Sequence, residues 1–192
     1  YLLIGVVILI FVRSYRKWNA NDNPALVNRT FWHFFFLGAA FLLLEVQNIS
    51  KASVVLGNTW QVNAVIISSV LGVALLANWV AYKFPKIPIT PVYVLLIGTS
   101  LGLYFVDLAR FGFLPYPTKA FIVGTLTSLP MLFSGIIFVR SFAVAKDKSN
   151  ALGANLIGAL VGALLQSITF VVGIKALLLV VAGFYLLSLF TA

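Results

Sequence analysis

From residue 31 onward the chain repeats one pattern, a long apolar run followed by a short polar break. A helix crossing a bilayer needs about 20 mostly apolar residues, because each backbone N–H and C=O must be paired within the segment once water is absent. By that rule the pattern predicts seven spans, approximately 1–13, 31–50, 61–82, 91–109, 119–141, 150–172 and 174–191, the first of them truncated. The breaks "RSYRKWNANDNPALVNRT", "KFPKIPITP", "RFGFLPYPTK" and "AKDKSN" combine charge with Pro, Asn and Gly and are expected loops. "KASVVLGNTW" is mildly apolar and either extends the second span up to Gly57 and Asn58 or forms a partly re-entrant segment. The expected fold is an all-α polytopic transmembrane helix bundle, one domain over 1–192, with a truncated first span (1–13), a polar loop (14–30) and a six-helix core (31–192).

Composition agrees with that pattern. The 192 residues are 62% hydrophobic and 9% charged, where a soluble domain carries about 25% charged residues. The net charge of +9 does not point to nucleic acid, because the thirteen Lys and Arg stand singly or in small groups between apolar runs, as loop and headgroup anchors do. Lys and Arg in the loops after spans one, three and five outnumber those on the other side by nine to four, which orients the first set toward the cytoplasm, with Tyr1 outside and Ala192 inside. Without cysteine there is no thiolate metal site or cysteine nucleophile, and one histidine cannot build a histidine metal cluster. No metal site is expected. The chain opens inside an apolar segment with no basic region before it, so Tyr1 is not expected to be a native start.

Polar residues inside apolar spans carry the remaining information, since a charge at membrane depth is costly and turns toward protein, water or a partner. Glu45 shares one helical stripe with Gly38, Leu42, Asn48 and Ala52, a small and polar face expected to meet other helices. Glu45 itself is expected to face the interior and bond to amides or hydroxyls of its neighbours. The third span carries Asn58, Thr59, Gln61, Asn63 and Asn78 near its ends, with Thr59 or Asn58 as the expected N-cap. In the sixth span Asn155, Gly158, Gly162 and Gln166 form a narrow stripe, extended by Asn150 and Gly153. Two readings fit: a close-packing seam in which glycines admit a neighbouring backbone, or a shared polar cavity lined by Glu45, Asn155 and Gln166 that would take a cation, a proton or a basic substrate. Pro130 is expected to kink the fifth span, with Thr125, Thr127, Ser128 and Ser134 satisfying the freed carbonyl. Asp107 and Arg110 are spaced to pair locally. His33, alone near a membrane boundary, reads as an interfacial polar residue rather than a ligand. No nucleotide-binding loop, nucleophile elbow or zinc-binding motif is present, and four acidic residues with one His leave little for acid–base chemistry, so no catalytic residue is expected.

"HFFFLGAAFLLLE", "LGNTWQVNAVI", "LLAN", "LPMLFSGIIFVRSF" and "ALGANLIGALVGALLQ" occur in this order. Together they resemble the transmembrane portion of bacterial spermidine-synthase-like (polyamine aminopropyltransferase-like) membrane proteins, over roughly residues 31 to 185. Glu45, Thr59, Trp60, Asn63, Asn78, Arg140, Gly153, Asn155, Gly158 and Gly162 fall on matching positions. Gln47 and Gln166 depart from it, standing where the family often has a basic and an acidic residue. The resemblance implies a membrane module whose adenosyl-donor-binding soluble domain is separate, since nothing in this sequence is similar to that domain. A soluble cytoplasmic domain preceding Tyr1 would contradict the orientation drawn from charge.

The expected function is a non-catalytic scaffold or accessory subunit of a larger complex in the bacterial cytoplasmic membrane. It needs no cofactor, and its partners are lipids and other membrane subunits or a soluble domain, not nucleic acid. The alternatives are the membrane anchor of a transferase and a small-molecule or polyamine transport module built on Glu45, Asn48, Asn63, Asn155 and Gln166. Lipid, pigment and quinone contacts are not legible in these residues.

Overall fold

The computed structural model of the protein describes Val6, Leu9, Arg13, 24–57 and 59–192, with the backbone alone for 24–28. Its described residues form helices and no strand: α1 (Pro24–Leu56), α2 (Trp60–Lys83), α3 (Ile89–Phe105), α4 (Tyr116–Val144), α5 (Lys148–Leu165), a short α6 (Thr169–Val172) and α7 (Leu177–Thr191). Four stretches are long and apolar enough to cross a membrane, Arg29–Leu56, Trp60–Lys83, Tyr116–Val144 and Lys148–Val172, with α3 and α7 as shorter apolar helices. This is an integral membrane protein with an all-helical architecture. The expected truncated span 1–13 lies outside the described residues apart from Val6, Leu9 and Arg13.

Helix boundaries follow local chemistry, and several differ from the sequence expectation. The expected loop 14–30 is already helical from Pro24, because proline's missing N–H costs nothing in a first turn. Of the two readings of 51–60, extension rather than re-entry is the one found: α1 continues past residue 50 to Leu56 and stops where Gly57 takes φ +88°, a left-handed conformation that glycine adopts without Cβ strain. Thr59 occupies the N-cap of α2 but its side chain makes no capping bond, and the expected alternative, Asn58, lies outside the described residues. Pro88 and Pro115 precede α3 and α4, each with another proline in the first turn, Pro91 and Pro117. Asp107 caps a 3-10 turn (Leu108–Phe111) by accepting from the Ala109 N–H at 3.1 Å, a local use of the carboxylate in place of the expected pairing with Arg110. The sixth expected span is interrupted: α5 ends at Leu165, and a 3-10 turn (Gln166–Ile168) and α6 follow before Gly173 turns the chain at φ +82°.

Two helices organise the bundle. α1 packs most extensively on α5 and α7 and also touches α4 and α2, while α4 packs on α2 and α3, and α3 on α7. Glycine decides the closest of these approaches. A Cβ added at Gly158 would lie 2.7 Å from the carbonyl carbon of Phe35, one at Gly162 3.0 Å from that of Ala39, and one at Gly38 2.8 Å from Asn155 Oδ1. Backbones therefore meet directly along the α1–α5 seam, as small residues permit. A second glycine seam, not foreseen from spacing, joins α4 to α2, where Gly135 leaves 2.9 Å between its missing Cβ and Ala77 Cβ, and Gly124 lies against Ser69. Pro130 is buried inside α4, which continues through it. The expected hydroxyl rescue is not formed as foreseen: Thr127 Oγ1 bonds back to Val123 O at 2.8 Å, Thr125 is exposed, and Ser128 Oγ is buried without a partner.

Candidate functional site

At one end of the bundle the start of α1, the start of α3 and the ends of α4 and α7 come together. His33 of α1 is buried there. Its Nδ1 lies 2.9 Å from the carbonyl oxygen of Ser188, an atom that only accepts, so Nδ1 carries the proton and, in the neutral ring, Nε2 accepts. Ser141 Oγ, 2.9 Å from Nε2, is then the donor. Ser188 Oγ donates to the His33 carbonyl at 3.2 Å, and the buried hydroxyl of Tyr93 completes the set at 2.8 Å from Ser188 Oγ. Each helix contributes one member, so the network ties α1, α3, α4 and α7 at a common level. Phe34, Phe138 and Phe142 pack beside it, with Phe138 and Phe142 stacked at 5.6 Å and Phe34 edge-on to Phe138 at 5.8 Å.

Above this network is a pocket of about 340 Å³, whose polar lining includes Thr30, His33, Ser141, Lys146, Asp147 and Asn150. Phe34, Ile89 and Val144 supply apolar wall. Asp147 is the N-cap of α5, accepting from the Asn150 N–H at 2.9 Å. The Asn150 side chain is 6% exposed and its Oδ1 has no hydrogen-bond partner. Cations ring this end: Arg29 reaches the Phe190 carbonyl, Arg140 the Phe84 carbonyl, and Lys146 and Lys148 flank Asp147.

The polar residues expected in the interior are distributed over several settings. None of Glu45, Asn48, Asn63, Asn78, Asn155 and Gln166 lines the pocket. Asn63 and Asn78 are exposed on α2, so they are not interior residues. Glu45 is half-buried, and the expected bonds to neighbouring amides or hydroxyls are not made. Asn48 is buried and donates to the Thr127 carbonyl at 2.7 Å, but its Oδ1 is unpartnered. Asn155 packs on Gly38 within the seam, and Gln166 sits in the 3-10 turn where α5 has ended, its carbonyl accepting from Thr169. Gly38, Asn155, Gly158 and Gly162 are thus brought together as packing residues, whereas Gly153 is half-buried. Among the described residues no group of three or more His, Asp and Glu is placed to hold a metal.

Two interior residues were missed. Gln47 is fully buried with neither amide atom partnered. Lys51, in the stretch left open between helix extension and re-entry, lies inside α1 and donates from Nζ to the Leu103 carbonyl at 2.6 Å, placing a cation at the C-terminal end of α3, where the helix dipole favours it. His33 was noticed but its role was not. The available signal was Ser188, which with Tyr185 and Thr191 supplies the hydroxyls of the otherwise apolar α7, matched by hydroxyls at the corresponding ends of α3 and α4. Comparison of the chain with protein-family models, with curated proteins and with solved structures found no match in any of the three.

Proposed function

We propose that this chain is a non-catalytic membrane module, a scaffold or accessory subunit that docks laterally against other membrane helices in a bacterial cytoplasmic membrane. In this reading α1, α2, α3, α4, the α5–α6 segment and α7 all cross the bilayer, and the cation-rich end faces the cytoplasm. The observation that carries the reading is a glycine pair left open. Gly98 and Gly102 of α3 stand four residues apart, both exposed, and a Cβ added at either would meet nothing within 4 Å. Exposed Val94, Leu95 and Phe105 flank them. The same spacing on α5 is filled by the backbone of α1, and such pairs admit close helix contact in lipid. The resemblance to spermidine-synthase-like membrane proteins supports a module of this kind, with a transferase domain as one form the larger assembly takes. Transport has less support, because Asn63, one of the residues it calls on, is exposed on α2.

The test is affinity purification of the full chain from its native membrane in mild detergent, beside a Gly98→Leu/Gly102→Leu double variant. A stoichiometric membrane partner that is retained by the parent and lost from an equally folded variant is the expected result. Purification of the parent alone, or equal retention of the partner by both, would defeat the reading.

A further inference from the structure

Glu45 is the one charged residue between Arg29 and Lys51, and nothing in the chain answers it. It is the seventeenth of the 28 residues in the stretch Arg29–Leu56, which at 1.5 Å per residue puts it about 24 Å from one end and about 17 Å from the other. In a hydrocarbon layer about 30 Å thick, that level is well away from both headgroup regions. A carboxylate at such depth turns toward protein, water or a partner cation. Among the described residues Glu45 makes no hydrogen bond and no ion pair.

The packing around it explains why it stays open. Along the seam, Gly158 and Gly162 of α5 meet Phe35 and Ala39 of α1, so one more turn of α5 would lie beside residues 43–46. Instead α5 ends at Leu165, and the 3-10 turn that follows touches α1 but leaves Glu45 only half-buried. Beyond that turn Phe170 and Val171 of α6 are 95% and 85% exposed and add no cover. What remains is a half-open stripe of Leu42, Glu45, Val46 and Ile49, continued by Ser50 and Ser53. Both serine hydroxyls turn back to carbonyls of their own helix, at 3.0 and 2.9 Å, so Glu45 is the one unanswered polar side chain of the stripe.

Charge and depth together select the occupant. A second copy lying the same way up brings no cation to this level. The lysines and arginines of the described residues stand near helix ends and in loops, apart from Lys51, whose ammonium is already held by the Leu103 carbonyl. A water-borne cation would have to pass through lipid to reach the flank of a helix in mid-span. A helix in the same membrane carries its own basic side chain to that depth, and Leu42, Val46 and Ile49 offer it apolar surface on either side of the carboxylate. We propose that this face of α1 docks a partner transmembrane helix bearing one lysine or arginine near mid-membrane, joined to Glu45 as an ion pair. Each charge is costly there alone, so the pairing selects the partner as well as holding it. This docking face rests on the module reading, yet it lies on α1 and not on the glycine-bearing face of α3, so each can fail alone.

The probe is a synthetic peptide of about 20 apolar residues with one central lysine. Control peptides carry leucine or glutamine at the centre, or the lysine in the first turn. The full chain with a donor fluorophore is reconstituted in phosphatidylcholine vesicles with acceptor-labelled peptide, and resonance energy transfer reads their association. The central-lysine peptide is expected to associate about tenfold more tightly than the leucine peptide, the difference expected from one hydrogen bond between charged groups. Glu45→Gln should abolish that preference, and the Gly98→Leu/Gly102→Leu variant should keep it. Equal association of the lysine and leucine peptides, or a lysine preference that survives Glu45→Gln, overturns the proposal. Glutamine peptide binding as tightly as the lysine peptide overturns the ion pair, and equal binding of the first-turn lysine overturns the depth assignment. Failure to find a native partner would defeat the module reading without moving the peptide result, and a null peptide result would leave the glycine face of α3 untouched.

Discussion

The two halves of α1 solve the problem of polar groups in an apolar bundle differently. In the first half, from Phe31 to Leu44, the one strongly polar side chain, His33, has both ring nitrogens partnered, and Gly38 removes a side chain so that α5 can approach. In the second half, from Glu45 to Lys51, Lys51 and Ser50 end on backbone carbonyls, but the other polar side chains are not fully answered. Gln47 is buried with its whole amide unanswered, Asn48 is half-answered, and Glu45 makes no bond. The first half is therefore specified by geometry, and the second carries polarity the isolated chain does not use. Burial and hydrogen bonding are separate achievements, since a group can be withdrawn from lipid without being satisfied.

Three changes would break or sharpen that contrast. The largest effect is expected from Gly38→Leu, where a side chain would be driven into Asn155; overpacking against backbone should cost more than about 3 kcal/mol and remove the folded monomer on size exclusion in detergent. A monodisperse variant would mean that the seam can part at little cost. His33→Ala should follow, losing about 2–4 kcal/mol through a cavity and the unpaired Ser188 carbonyl and Ser141 hydroxyl, read as a lowered thermal midpoint in detergent. A loss below about 1 kcal/mol would remove the network as the fastener of this end. The smallest effects belong to the second half. Gln47→Met, which trades the unanswered amide for an unbranched apolar chain, should raise stability by about 1–2 kcal/mol, while Glu45→Gln stays within about 0.5 kcal/mol. Destabilisation by Gln47→Met would show that a buried water or a partner answers that amide.

How much of this was legible depended on whether the controlling force was local. Apolar runs must close their own backbone bonds in lipid, so the helical cores of the apolar stretches were readable. Their ends shifted wherever proline or a 3-10 turn moved a boundary, as at Pro24 and Leu165. The Gly38–Asn155 and Gly158–Phe35 contacts were half legible, because spacing marks a helix face without saying which neighbour fills it; Gly98 and Gly102 have the same spacing and no neighbour. The His33 network was hidden for the opposite reason. Its partners lie up to 155 residues away, and a lone histidine beside single hydroxyls has no pattern until the helix ends are brought together.

Apart from the four-residue α6, the two shortest helices, α3 with 17 residues and α7 with 15, also stand side by side. At 1.5 Å per residue they reach about 25 and 22 Å, short of a hydrocarbon layer about 30 Å thick, while α4 with 29 residues exceeds it. In the proposed reading, where α3 and α7 both cross the bilayer, one flank is tall and the other low, and the lipids along α3 and α7 would be drawn thin, at a cost of fractions of a kcal/mol for each ångström of mismatch. Under that proposal membrane thickness would become a force on the protein, and covering the low flank with another helix would relieve it. Gly98 and Gly102 lie on that flank, where the bilayer itself would press a partner into place.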